Sequence, residues 1–257
     1  MLATFLAFIA CEEPIDKPIQ SEQTNQIVVE GLITSENVSH LIRISHPYKI
    51  QQGIAEPVSG ASVTIKENNN VYMLTEQPMG SGKYYTPAFR AITGKAYELL
   101  IQYQGKEYTA RDSTAPVEPL PPIQYYPVNG TYSLDFQTFG NNPNYINHEI
   151  SWHNTPACTG TPCSEKVVFY DLKTIDIHEI YKPKKEAFYF PLGATITRVK
   201  YSVSPAYKVF LRSMLSETQW RGGVFDVQRA NVLTNLRDGA IGFFASCTVV
   251  SDTTVVK

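Results

Sequence analysis

Four cysteines and five histidines are the side chains of this 257-residue chain with the most chemistry to offer. Cys158 and Cys163 bracket Thr159-Gly160-Thr161-Pro162, a turn-forming run whose length suits a local disulfide that closes a loop tip. The rival is a CxxxxC metal site, which needs two further ligands. His148 and His153 flank Trp152 at opposite parity, so a strand places them on different faces, and His40, His46 and His178 stand apart. The expectation is a disulfide, with no metal and no cofactor. Cys247 lies in the apolar run Phe243-Phe244-Ala245-Ser246-Cys247 and reads as a small buried hydrophobe. There is no G-x-S-x-G elbow, no H-E-x-x-H and no phosphate-cradling glycine loop. Gly80-Ser81-Gly82 reads as a turn, and Asp135, Glu149 and Asp171 as scattered solvated acids rather than a glycosidase pair. The chain is therefore expected to be no enzyme and to carry no catalytic residue.

Cys11 has a different setting. It follows the apolar run Phe5-Leu6-Ala7-Phe8-Ile9-Ala10 and precedes Glu12-Glu13-Pro14. Such a run is too short to cross a bilayer, which takes about 20 apolar residues. An apolar stretch, a small residue and then a polar chain make a secretion signal, here residues 1–10. With a cysteine just after the cleavage point it resembles a bacterial lipoprotein signal, in which the thiol is acylated and the cysteine becomes the new N-terminus. The leader departs from that pattern in having no Lys or Arg, and in placing Phe8 where Leu is usual. Two acyl chains anchor a protein stably where one does so only marginally. Cys11 is thus the expected membrane anchor, and residues 11–26, polar and with Pro14 and Pro18, the extended tether. The acidic pair Glu12-Glu13 also resembles the signal that sends Bacteroidota lipoproteins to the outer face of the outer membrane.

Composition fits that compartment. A net charge of −2 gives no reason to expect nucleic acid or an anionic membrane surface as a partner. Charged residues make up only 18%, and 16 Tyr stand against 2 Trp, a profile of extracytoplasmic β proteins. Disulfides persist where the surroundings are oxidising.

The elements that must position these residues are mostly strands. From Ile27 the chain alternates in short runs: Val28 to Ile33, Leu41 to Ile44, Ala61 to Lys66, Val71 to Leu74, Lys83 to Tyr85, Tyr97 to Tyr103 and Glu107 to Ala110. Seven strands at this spacing predict an immunoglobulin-like β-sandwich over residues 27–111. Four prolines within residues 112–122 predict a stiff extended linker and a domain boundary. Residues 123–257 predict a second β-sandwich or partial barrel, with strands near Tyr132, Glu149, Lys166, Ala187, Thr197 and Ala240. One helix is expected near 204–221, with Ser204 as N-cap, Pro205 at the first helical position and Tyr207, Phe210, Leu211, Met214 and Leu215 on one face. Tyr125, Tyr126 and Tyr145 stand near loops rich in Asn and Gly, which makes them a candidate sugar- or peptide-binding surface. The alternative places these tyrosines in the second core.

Two resemblances arise from these motifs. Pro57 to Ile65, Gly82 to Tyr85 and Gly94 to Leu99 occur in the order of the transthyretin-like, carboxypeptidase-regulatory type of immunoglobulin-like sandwich, which implies fold and nothing about function. The lipoprotein cysteine, the tether, the Val28-Val29-Glu30-Gly31-Leu32-Ile33 strand, the proline-rich joint and the Gly239-Ala240-Ile241-Gly242-Phe243-Phe244 strand together resemble an uncharacterised family of Bacteroidota lipoproteins. Genes of that family commonly sit beside TonB-dependent outer-membrane receptors. The resemblance implies an outer-membrane lipoprotein, exposed at the cell surface, serving such a receptor in capturing a nutrient. The alternative is a structural or adhesion module with no small-molecule ligand.

Overall fold

The computed structural model describes residues 26–48, 53–136, 140–160, 162–173, 188–218 and 232–257. The leader, residues 11–25 of the tether with Cys11, His178 and the end of the helix expected near 221 lie outside them. The protein is mainly β, built from several sheets and one described helix.

The N-terminal strands are β1 (Val28–Thr34), β2 (Leu41–Ser45), β3 (Ser62–Glu67), β4 (Asn70–Met73), β5 (Thr75–Glu76), β6 (Lys83–Tyr85), β7 (Ala96–Tyr103) and β8 (Lys106–Ser113). They form two sheets because each strand buries alternate residues and turns the others outward. Val63 and Ile65 of β3 meet Tyr97, Leu99 and Ile101 of β7 in one core with Val29, Ile33, Ile42, Ile44 and Tyr84 from the other sheet. Tyr84 keeps its hydroxyl satisfied inside that core, donating to the Val58 carbonyl at 2.8 Å and accepting from the Ala61 N–H at 3.0 Å. The sequence-derived sandwich is present.

The remaining elements are β9 (Tyr125–Val128), β10 (Thr131–Leu134), β11 (Asn144–Ser151), β12 (Ser164–Asp171), β13 (Thr195–Ser202), helix α1 (Pro205–Thr218), β14 (Ile241–Cys247) and β15 (Val249–Val255). β9 and β10 form a two-stranded ribbon, and β12-β11-β13-β15 an antiparallel sheet. Helix α1 starts as its sequence dictates, the Ser204 hydroxyl accepting from the Tyr207 N–H at 3.0 Å.

β14 breaks the expected division of the chain. It pairs in parallel with β1, from Val28 opposite Ile241 to Thr34 opposite Cys247, and completes the N-terminal sheet in the order β14-β1-β2-β6-β5. The stretch 123–257 therefore does not stand as a separate unit, since one of its strands belongs to the first sandwich. The reason lies in burial on both faces. Phe244 points into the first core, while Phe243, Ala245 and Cys247 lie under α1. A parallel strand covered on both sides shows no alternation, so its sequence does not say which sheet it joins. Gly242 makes the pairing feasible: its φ is +99°, and a Cβ there would fall on the Val29 carbonyl oxygen.

The proline-rich stretch is likewise no free spacer. Its first residues, Asp112 and Ser113, end β8, and the residues from Thr114 to Pro121 are bonded to later parts of the chain. The Thr114 and Ser246 hydroxyls lie 2.5 Å apart, the Thr248 hydroxyl donates to the Ala115 carbonyl at 2.8 Å, and Arg198 donates to the Pro121 carbonyl at 2.6 Å. Prolines surrender backbone donors but keep their carbonyls, and side chains from β13 and from the β14–β15 segment use the carbonyls of this stretch.

Candidate functional site

Of the residues singled out from sequence, Cys158 and Cys163 are joined as a disulfide, with Cα atoms 5.6 Å apart, across the β11–β12 hairpin tip. Cys247 is a free, buried thiol, and burial pushes its pKa up, with Asp112 adding to the shift. Cys11 lies outside the described residues.

The three candidate tyrosines do not form one surface. Tyr145 is on strand β11, not in a loop, and is only 7% exposed. Its ring stacks on Tyr201 with centroids 4.7 Å apart and meets Tyr207 edge-on at 6.2 Å. Burial raises its pKa far out of the physiological range. Tyr125 is half-buried, edge-on to Tyr132 at 5.6 Å, with its hydroxyl accepting from the Lys257 N–H at 3.1 Å. Tyr126 alone of the three is exposed. The binding role expected of Tyr145 is therefore withdrawn: at the middle of a four-stranded sheet under α1, its ring has a core to fill.

The buried polar groups serve the scaffold. Asp112 accepts from the Ser246 N–H at 2.9 Å; burial raises its pKa, against hydrogen bonds from Ser204, Ser246 and Ser113. His40 bonds the Phe89 carbonyl at 3.0 Å through Nε2, and burial lowers its pKa. Arg198 holds Asp252 through two nitrogens, Nε at 2.8 Å and Nη2 at 2.5 Å. His148 lies beside it, its pKa pushed down to about 4 by burial and then by the Arg198 charge. Its Nδ1 has no hydrogen-bond partner among the described residues, and the ring helps line a cavity of about 20 Å³ with Arg198, Phe136 and Phe169.

The larger concavities lie elsewhere, on the outer face of the sheet that β14 completes. Helix α1 covers one end of that face, with Phe243 of β14 stacked on Tyr207 at 5.0 Å and tilted against Phe210 at 4.8 Å. Beside the helix is a cleft of about 290 Å³ lined by Glu30, Leu32, Leu41, Arg43, Tyr207 and Phe210 among others. A wider cleft of about 720 Å³ continues over Val28, Ile241, Tyr48, Ile54, His46 and Lys83. The two share Glu30 and Arg43, which face each other across β1 and β2 and form an ion pair at 3.6 Å. The floor is apolar, Tyr48 and Ile54 stand exposed on the rim, and Arg43 and Lys83 supply positive charge. The groove thus sets apolar side chains beside Lys83 and the Glu30–Arg43 pair, with Ser45, His46 and Ser81 also in its lining.

Sequence reasoning missed this groove. Glu30, Arg43 and Lys83 sit at outward positions of an alternating pattern and look like any solvated face. Tyr207 and Phe210 of α1 and Phe243 of β14, more than 100 residues further along the chain, wall the smaller cleft beside Glu30 and Arg43, while His46, Tyr48, Ile54 and Ile241 wall the wider one beside Lys83.

No curated protein matches this chain. A family model does, over residues 12–253, which is nearly its whole length. The chain belongs to the uncharacterised family described as "Domain of unknown function (DUF4249)".

Proposed function

We propose that this protein is a lipid-anchored accessory of the outer membrane that works, without catalysing a reaction, beside a TonB-dependent receptor. The observation that carries the reading is the junction at Cys11. An apolar leader ends at Ala10, the cysteine follows, and the family match opens at the next residue, Glu12. The mature part of a lipoprotein begins at such a cysteine, one residue before the match. The resemblance to Bacteroidota lipoproteins encoded beside such receptors supplies the partner class. Buried His40, Arg198 and Asp112 are taken up in scaffold bonds, which favours binding over catalysis. The groove on the outer face of the first sheet is the contact surface, and its occupant is a receptor segment that sets an apolar side chain next to a carboxylate, matching the apolar floor and the Arg43 and Lys83 charges.

The groove also lies near the anchored end. Ile241 and Val28 line it, and the Ile241 N–H bonds the Ile27 carbonyl at 2.9 Å. The tether from Glu12 to Gln26 reaches at most on the order of 50 Å when fully extended. A lipid at Cys11 therefore keeps the groove within reach of a neighbouring barrel.

Fractionation of cells that produce Cys11→Ala tests the anchor. The variant is expected in the soluble fraction, folded and with an unchanged thermal transition. If it stays in the membrane pellet after a high-salt wash, the lipoprotein reading is wrong.

A further inference from the structure

We propose that the tip of the β11–β12 hairpin is a redox-gated metal site, in which reduction of the Cys158–Cys163 bond frees two thiolates that, with His153, bind one zinc-class cation. The ligand atoms of His153, Cys158 and Cys163 all lie within 4.8 Å of one another. A tetrahedral zinc ion, with Zn–S near 2.3 Å and Zn–N near 2.0–2.1 Å, holds such donors roughly 3.6–3.8 Å apart. On reduction the two bonded sulfurs must part to that spacing, and the imidazole nitrogen must close by up to about 1 Å, while the spacing of four residues between the cysteines falls within the range that zinc loops use.

The hairpin presets the three ligands. The ladder that pairs Ser151 with Ser164 runs on into the loop, where the Trp152 N–H donates to the Cys163 carbonyl at 2.9 Å. The Thr155 N–H then turns back to the Trp152 carbonyl, and the Cys158 N–H to the Thr155 carbonyl, each at 3.1 Å. Two successive tight turns thus fold Cys158 back toward the strand ends that carry His153 and Cys163. His153 is exposed, Cys158 half-buried and Cys163 buried, so the cluster opens to solvent on one side. Three protein ligands leave a fourth position for water or an exogenous group. Two thiolates and an imidazole select zinc or copper(I) over hard cations such as magnesium and calcium. Sequence parity sets His148 and His153 apart and offers no partner for the cysteine pair; it is the loop, not a strand, that brings His153 to it.

The chemistry balances with a dithiol as reductant. The S–S bond takes two electrons and two protons and becomes two thiols, while the dithiol is oxidised to its own disulfide. A divalent cation then displaces the two thiol protons and forms two metal–sulfur bonds. A small disulfide as oxidant reverses both steps: it takes up the two electrons and two protons to become two thiols, the Cys158–Cys163 bond re-forms, and the metal is released. The proposal is independent of the receptor reading.

Titration of the purified mature chain with cobalt(II), followed by thiolate-to-cobalt charge-transfer absorption and competed with zinc(II), tests it. The protein is reduced with a dithiol, which is then removed under anaerobic conditions. One equivalent is expected to bind to the reduced protein and none to the oxidised protein. His153→Ala is expected to weaken binding at least about tenfold, Cys158→Ser with Cys163→Ser to abolish it, and Cys247→Ser to leave it unchanged. The proposal is overturned if the reduced protein takes up no cobalt, if reduction abolishes the thermal transition, if His153→Ala binds like the wild type, or if binding survives loss of both loop cysteines.

Discussion

Ser202 and Thr248 hold each other twice: the Ser202 N–H donates to the Thr248 carbonyl at 2.9 Å, and the Thr248 N–H donates to the Ser202 hydroxyl at 2.8 Å. Thr248 is the single residue between β14, which lies in the first sheet, and β15, which lies at the edge of the second. Its hydroxyl also reaches Thr93 and Ala115, each at 2.8 Å. The two halves of the chain are thus locked at one point, where the last strands pass from one sheet to the other. Ser202→Ala leaves the part-buried Thr248 N–H without its acceptor, and is expected to cost about 1 kcal/mol. Denaturant unfolding should show one transition shifted to lower concentration. If stability does not change, this lock contributes nothing.

Tyr145 is expected to behave as core. Tyr145→Ser removes a ring packed among Tyr170, Tyr201 and Tyr207, and should cost about 3–5 kcal/mol, the range for large aromatic truncations. Tyr126→Ser, on an exposed ring, should leave the melting temperature within about a degree or two. Thermal scans of both variants decide the matter, and equal effects would contradict the assignment.

The stability of the second sheet should depend on pH through His148. Its folded pKa lies near 4, below the ordinary 6.5. Between those values the unfolded chain binds a proton that the folded chain does not, so stability is complete above 6.5 and falls as pH drops toward 4, by up to about 3 kcal/mol. His40 shifts in the same direction, whereas Asp112, raised by burial, works against the trend by favouring the folded state at low pH. His148→Gln should flatten the fall in melting temperature between pH 7 and pH 4. A slope as steep as in the wild type would show that His148 is not its source.

The sequence reveals most of the first sandwich because its strands alternate: Val63 and Ile65, or Leu99 and Ile101, can be assigned to the core from their neighbours alone. The helix start is equally legible, since Ser204 and Pro205 act through local geometry. β14 is recognisable as a strand but its place is not, because an apolar run buried on both faces carries no sidedness. β15 escapes detection: Ser251-Asp252-Thr253-Thr254 at a sheet edge is too polar to read as a strand. The groove is hidden for the same reason as the placement of β14. Arg43 gains the wall formed by Tyr207, Phe210 and Phe243 only through contacts of long sequence separation, and Tyr145 reads as a loop residue because nearby Asn and Gly residues suggest an open surface.

We propose above that this chain is lipid-anchored and docks on a TonB-dependent receptor through the groove around Arg43 and Lys83. Affinity isolation of the native lipoprotein from detergent-solubilised outer membranes tests it most directly, with the wild type compared to Arg43→Gln combined with Lys83→Gln. The account predicts that a TonB-dependent receptor is recovered with the wild type in near-equal amount and falls at least about tenfold with the double variant, a loss of about 1.4 kcal/mol or more, while both proteins melt alike. Recovery of the wild-type protein alone, or of the same receptor in undiminished amount with the double variant, would contradict it.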